Sequence, residues 1–241
     1  MESTSHSIAV DLRDVQYTWA PRQPFSLSIP EFRVRSREKL LLLGPSGSGK
    51  STLLNLMTGI VQPQGGTVSI LGQDLGDLST SGRDRYRAEH FGIIFQMFNL
   101  LPYGAVLDNV LLPLSFAPMR RMRAAKVGGA EAEARRLLDA LGLPTVVARQ
   151  SAATLSVGQQ QRVAAARALI GSPEIVIADE PTSALDEDRQ QDFLDLLFSQ
   201  IEATHATLVM VSHDRRLAPK FDRVLELPLL LGALARQRSS A

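Results

Sequence analysis

The chain has 241 residues, 26 Lys+Arg against 25 Asp+Glu, a formal net charge of +1 and no cysteine. That length holds one large α/β domain, or a domain with a subdomain, and not two full-sized enzymes. The near-neutral balance supplies no global field for nucleic acid or an anionic bilayer, and the missing thiols exclude disulfides, thiolate metal sites and cysteine nucleophiles while fitting a reducing compartment.

In chain order, residues 1–12 carry neither a basic n-region nor an apolar h-region, so no signal peptide is read there. Residues 8–15, 25–29 and 32–34 alternate apolar and polar side chains in short runs broken by proline, which predicts strands of an antiparallel sheet. The character then changes. Leu40 to Leu43 form a continuous apolar run ending at Gly44, the pattern of a parallel strand buried on both faces. Similar runs follow at residues 92–95, 175–178 and 206–211, with helical patterns between them, so the fold class is α/β with a mostly parallel sheet. Residues 99–170 hold no convincing strand and read as an inserted helical subdomain. Within it Arg120, Arg121, Arg123 and Lys126 form a basic cluster before Gly128 and Gly129, read as a solvated helix start with no assigned function. The tail 236–241 is polar and expected to fray. The longest apolar stretches, residues 40–43 and 227–235, fall well short of the roughly 20 residues a membrane helix needs.

Gly44-Pro45-Ser46-Gly47-Ser48-Gly49-Lys50-Ser51 matches the phosphate-binding pattern G-x-x-x-x-G-K-[ST], set between a buried strand and an apolar helix that opens at Thr52. Its glycines let successive backbone N–H groups, and the positive end of the helix, point at the β- and γ-phosphates of a nucleoside triphosphate. Lys50 adds a point charge and Ser51 offers a hydroxyl to Mg²⁺. Downstream, Asp179 and Glu180 end the apolar run 175–178. Neighbours on a strand point opposite ways, so beyond its end they can divide the work: Asp179 ligates Mg²⁺ directly or through a coordinated water, and Glu180 is the base that polarises the attacking water.

Leu155-Ser156-Val157-Gly158-Gln159-Gln160-Gln161-Arg162, followed by a helix, resembles the signature of the ABC ATPase family, close to L-S-G-G-Q-x-Q-R. The resemblance also picks out Gln96 as the Q-loop glutamine, Ser183-Ala184-Leu185-Asp186 as the D-loop and His213 as the switch histidine, all in family order and spanning most of the chain. It implies a P-loop ABC ATPase core with an N-terminal antiparallel β subdomain. The single domain over residues 1–241 then has its nucleotide-binding core at about 1–95 and 171–235 and its helical subdomain at about 96–170. It implies ATP and Mg²⁺ as cofactors, with Gln96 linking Mg²⁺ and water to the helical subdomain and His213 holding the γ-phosphate. Ser156, Gly158 and Gln159 form an anion site at a helix N-terminus that closes on the γ-phosphate held by a second protomer, beside Asp186, so a dimer around two ATP molecules is expected. An aromatic side chain near the N-terminus should stack on adenine: Trp19 stands at the family position, with Tyr17 the alternative.

One residue departs from the pattern. Val157 replaces the first signature glycine, and a β-branched side chain cannot take glycine's backbone angles without strain, which predicts slowed hydrolysis or weakened closure.

Phe95-Gln96-Met97-Phe98-Asn99-Leu100-Leu101-Pro102, with the following 106–114, resembles the LolD, MacB and FtsE-like subfamily of lipoprotein-release, macrolide-export and cell-division ATPases, Asp108 standing where glutamate is usual. That likeness implies a homodimer, or a dimer with a related ATPase, on an integral membrane permease of the FtsX/MacB type, with an extracytoplasmic adaptor. The chain would then be cytoplasmic, peripheral on the inner face of the membrane, and would bind no nucleic acid. An importer ATPase and a soluble ABC ATPase of translation or DNA repair are the other readings; the soluble ones usually carry two cassettes or a long coiled-coil insertion.

Overall fold

The structure is a computed structural model describing residues 7–19, 26–45, 47–183 and 185–227. Ser46, Ala184, Phe25, most of the 227–235 apolar stretch and the tail lie outside the described residues. In chain order the strands are β1 Ile8–Thr18, β2 Ser26–Arg35, β3 Lys39–Leu43, β4 Gly65–Ile70, β5 Gln73–Asp74, β6 Phe91–Ile94, β7 Ile175–Asp179, β8 Thr207–Ser212 and β9 Arg223–Glu226. The α-helices are α1 Lys50–Met57, α2 Thr80–His90, α3 Val106–Leu111, α4 Pro118–Lys126, α5 Ala130–Ala140, α6 Val157–Leu169 and α7 Glu187–Thr204. Contacts divide the chain into two units, one from the described parts of Met1–Arg87 and Val209–Ala241, the other Ala88–Leu208.

The first unit carries an antiparallel sheet in the order β2-β1-β4-β5. The run 32–34 and the described part of the run 25–29 belong to one strand, β2, not two. Leu27 and Ile29 are buried, as are Phe32 and Val34, so the inward phase slips by one residue across Pro30. β1 slips with it, from Leu12 to Val15, at Asp14, whose φ of 51° is left-handed. The two strands slip in step, so their pairing keeps one register from Val10 opposite Val34 to Thr18 opposite Ser26. On the other edge the β1–β4 register shifts between Arg13 and Gln16. Gly66 (φ 80°) fits there because a Cβ would lie 2.3 Å from the Arg13 carbonyl oxygen. Strands β4 and β5 occupy a stretch expected to be helical; the Thr67–Ile70 alternation is too short to declare itself without its partner β1. In the same unit β3 runs parallel to β9, with Leu40 opposite Arg223 and Leu43 opposite Glu226. Every leucine of β3 is buried.

In the second unit β6 and β7 pair in parallel, Phe91 opposite Ile175 and Ile94 opposite Ala178. The expectation of no strand in residues 99–170 agrees with the structure: these residues form α3 to α6 and 3-10 turns, with one isolated bridge from Ala105 to Ser151. The eight residues Val163 to Ile170 of α6 and its cap are all buried. α6 packs on β6 so closely that a Cβ on Gly92 would sit 2.1 Å from the Ala168 carbonyl oxygen.

The basic cluster departs from its reading. Arg120 lies within α4 at 2% exposure, on the face it shares with buried Ala117 and Ala124, so the cluster is not a solvated helix start. Its guanidinium donates to the carbonyls of Ile170 (2.9 and 2.5 Å), Phe91 (2.9 Å), Ala168 (2.9 Å) and Ala88 (3.2 Å). Burial pushes its pKa down to about 10. Arg123 donates to Glu174 (2.9 Å), which His90 Nδ1 also meets at 3.1 Å. Arg121 and Lys126 are exposed, as expected.

Candidate active site

In the first unit the buried β3 stops at Gly44, and α1 begins at Lys50 after a turn through Gly47 (φ 78°) and Gly49, the N-cap at φ 94°. Those left-handed angles suit glycine, and they release the chain from a strand into a helix within a few residues. The first amides of a helix have no intrahelical acceptor and carry its positive dipole end. Lys50 is 7% exposed, and its Nζ donates to the carbonyls of Gly44 (2.7 Å) and Pro45 (3.2 Å), folding the ammonium back over the loop. The Ser48 hydroxyl is buried without a hydrogen-bond partner. Buried polar groups are nearly always satisfied, so a loop that leaves one orphaned and also holds a lysine cation fits an anion that brings oxygen acceptors. Ser51 is exposed on the first turn of α1 and Thr52 is buried.

Trp19 belongs to this group. Its indole Nε1 donates to the Thr52 hydroxyl (3.1 Å), Tyr17 packs against it edge-on with centroids 5.3 Å apart at 89°, and the side chain stays 40% exposed. A ring fixed on one edge and open on another can accept a planar base. His213 follows β8 and is exposed; the Gly44 N–H donates to the Ser212 carbonyl at 3.3 Å, which places His213 one residue from the entry of the loop.

In the second unit Asp179 ends β7 and Glu180 follows with φ 44°. A glutamate in the left-handed region is uncommon and marks a constrained turn. The turn is held by the Ser183 N–H on the Glu180 carbonyl (3.2 Å) and the Leu185 N–H on the Thr182 carbonyl (3.1 Å). Asp186 caps α7 by accepting from the Arg189 N–H at 3.0 Å. Ser156 caps α6 in a reciprocal box: the Gln159 N–H donates to its hydroxyl (3.3 Å), and the Ser156 N–H donates to Gln159 Oε1 (2.9 Å). Gly158 lies against the D-loop, a Cβ there falling 3.8 Å from Leu185 Cδ2.

The expected strain at Val157 is absent. The residue is the first of α6, its backbone is not among the left-handed ones, and its side chain is 48% exposed. A β-branched residue sits easily at a helical N1 position, so any effect of Val157 comes from its exposed isopropyl group.

Gln96 is exposed just beyond β6. The two residues that follow Met97, Phe98 (φ 57°) and Asn99 (φ 49°), are left-handed. Arg167 of α6 donates to both of their carbonyls, 2.6 Å to that of Asn99. Sequence reasoning missed Arg167, and it missed Asn109, which is fully buried and ties Leu101 and Ala105 together through three hydrogen bonds. It gave no role of its own to Gln161, although a glutamine inside an alanine-rich helix signals a buried polar contact. Trp19, the phosphate loop and His213 thus fall in one unit, and Gln96, the signature and the two acids in the other.

A family model described as ABC transporter matches residues 27–183. The chain belongs to the ABC transporter family. The lipoprotein-releasing system ATP-binding protein LolD of Hydrogenovibrio crunogenus is 42% identical over 197 residues, 82% of this chain and 83% of that protein. The macrolide export ATP-binding/permease protein MacB of Rhodopirellula baltica is 38% identical over 209 residues, 86% of this chain and 30% of that longer one. A solved dimeric ATP-binding cassette in a post-hydrolysis state with ADP and Pi matches with a TM-score of 0.77 at 34% identity, over 90% of this chain and 93% of that one. The fold is therefore that of the P-loop ABC ATPases, and this ABC ATPase is an ATP-hydrolysing transporter subunit of the LolD/MacB-like branch. Among its described residues no helix is long and apolar enough to cross a membrane.

Proposed function

We propose that this ABC ATPase works as one half of a dimer that encloses two ATP molecules and drives a membrane permease of the FtsX/MacB type in export, lipoprotein release or mechanotransmission. The observation that carries the nucleotide role is the orphaned Ser48 hydroxyl in the same loop as the Lys50 ammonium, between the left-handed Gly47 and Gly49. The triphosphate lies along residues 44–52, its adenine stacks on Trp19, and Lys50 meets the β- and γ-phosphates. Among the described residues no three His, Cys, Asp or Glu side chains gather into a metal cage. Ser51, Gln96 and Asp179 would hold a Mg²⁺ together with the nucleotide's phosphates, the usual arrangement for this ion, and the ion would neutralise charge on the β- and γ-oxygens. Glu180 takes the proton of the attacking water, and His213 donates to the γ-phosphate.

Dimerisation follows from the chemistry of the signature. The capped N-terminus of α6 is an anion site with no loop of its own to fill it, and a second protomer's γ-phosphate supplies the charge. ATP contacts both protomers and so stabilises the closed dimer; hydrolysis removes those contacts. The relatives named for lipoprotein release and macrolide export support the permease class. The chain then lies peripherally on the cytoplasmic face of the membrane. Residues 96–170, with the exposed Met97 and Tyr103, form the arm that meets the permease.

The test is capture from the native membrane. Tagged Glu180→Gln protein with ATP and Mg²⁺, solubilised in mild detergent, should bring down a permease with few membrane helices and a large external domain. Recovery of soluble partners alone would overturn the permease assignment.

A further inference from the structure

Gln161 lies on the inner face of α6 with no solvent exposure. Its Nε2 donates to the carbonyl of Pro181 at 2.5 Å, and its Oε1 has no hydrogen-bond partner. Pro181 is the residue directly after Glu180, whose backbone is held at φ 44°. Proline has no N–H to anchor it, so in this turn its carbonyl is what α6 can grasp. About one and a half turns earlier stands Ser156, the N-cap of the same helix, whose side chain forms the capping box with Gln159 at the anion-binding end. The same turn is tied a second time from α7, where Gln190 Nε2 donates to the Thr182 hydroxyl at 2.9 Å.

We infer that Gln161 is a positioning residue that couples the signature end of α6 to the general base, so that filling the anion site of one protomer's signature sets the geometry of Glu180 in that same protomer. The inference rests on the dimeric reading above. In that dimer the signature touches the ATP held by the partner subunit, whereas Glu180 acts on the ATP of its own protomer. A helix that carries the one and grips the other links the two nucleotides through a single buried hydrogen bond. In a low-dielectric interior such a bond transmits a small displacement without the slack that solvent would add. Binding at one site is then felt at the other as a change in the alignment of the base, which gives hydrolysis cooperative in ATP with no rearrangement of the fold.

The experiment uses the intact chain and three variants, Gln161→Leu, Gln161→Glu and Glu180→Gln, in ATP-binding and steady-state hydrolysis assays with ATP and Mg²⁺. Leucine fills the volume and removes both the donor and the unpartnered oxygen. Gln161→Leu should bind ATP within about twofold of wild type, lose tenfold or more in kcat, and drop the Hill coefficient from above 1 to 1. Glutamate keeps the shape but donates to the Pro181 carbonyl only when protonated. The kcat of Gln161→Glu relative to wild type should therefore rise as pH falls, while that of Gln161→Leu stays flat. Wild-type kcat and cooperativity in Gln161→Leu, or a wild-type enzyme with no cooperativity to lose, would overturn the coupling. So would parallel loss of ATP affinity, kcat and melting temperature, which is the pattern of a packing defect. Glu180→Gln separates the two levels: if it hydrolyses ATP normally, the assignment of the base fails; if it is inactive while Gln161→Leu is normal, only the coupling fails.

Discussion

Replacing Arg120 by methionine isolates the contact that the sequence concealed. Arg120 directs five donated hydrogen bonds at four carbonyls, two of them at the C-terminal end of α6 (Ala168, Ile170), one in the last turn of α2 (Ala88) and one at the start of β6 (Phe91). Methionine retains much of the volume but donates nothing. Four acceptors, all buried but the half-buried Ala88 carbonyl, lose a partner, at about 1 kcal/mol each when water cannot replace it, a gross loss of about 3–4 kcal/mol. Part is recovered, because a cation no longer has to be buried, a burden visible in the depression of its pKa to about 10. The Glu89 carboxylate is undisturbed, since it accepts from the backbone N–H groups of Met119 and Arg120 and not from the guanidinium. The expected net effect is a destabilisation of about 2–4 kcal/mol. In urea, with a slope of about 2–3 kcal/mol/M for a chain of this size, the unfolding midpoint should fall by about 1 M. Arg120→Lys, with three donors on a mobile stem, should fall between the two. A methionine variant whose midpoint stays within about 0.2 M of wild type would refute the reasoning, because it would mean that the four carbonyls do not depend on Arg120.

Lys50→Ala should fail at nucleotide binding, with Kd raised about 10–100-fold for the loss of a charge-assisted contact of about 1.5–3 kcal/mol, as read by equilibrium dialysis with ATP. Val157→Gly should leave the unfolding midpoint almost unchanged, since the side chain is exposed and the backbone already helical, and should raise ATP turnover; unchanged turnover would remove the isopropyl group as an obstruction. For Glu174, burial pushes the carboxyl up, but the His90 hydrogen bond and the Arg123 charge outweigh it and hold it below the usual range. A depressed carboxylate pKa stabilises the fold above the unfolded value, near about 4.5, and loses that contribution as pH falls through the folded value. The melting-temperature gap between wild type and Glu174→Gln should therefore be full at pH 7 and narrow progressively below about pH 4.5.

The parts of this ABC ATPase that sequence reveals are those whose chemistry is local. Gly44 to Ser51 lies between a run of leucines and an apolar helix, so the strand, the turn and the start of the helix are all specified within about a dozen neighbouring positions. Asp179 and Glu180 announce themselves by ending a run that nothing polar interrupts, and Ser156 with Gln159 by the spacing of a capping box. Long-range partners are a different matter. Arg120 reads as solvated because its charged neighbours Arg121 and Lys126 do face outward, and only the Ala117–Arg120–Ala124 spacing betrays an inward face. Strand β4 exists because β1 pairs with it, and its six residues carry too little pattern to be recognised alone. The strain assigned to Val157 came from comparing residue types at one motif position; the actual φ at the start of α6 suits valine as well as glycine. Gln161 and Arg167 do not stand out as buried from their type, since Gln159, Gln160 and Arg162 are polar letters of the same helix, and their acceptors lie some 20 and 68 residues away in sequence.

The central claim is that Glu180, at the constrained end of β7, is the base that activates water against ATP held by the phosphate loop. It is tested most directly by measuring ATP turnover and ATP-dependent association of Glu180→Gln beside wild type. Loss of a general base lowers the rate by about 10²–10⁴-fold, and the account predicts that loss together with a dimer that persists on size exclusion with ATP and Mg²⁺. Turnover within a few-fold of wild type would contradict it.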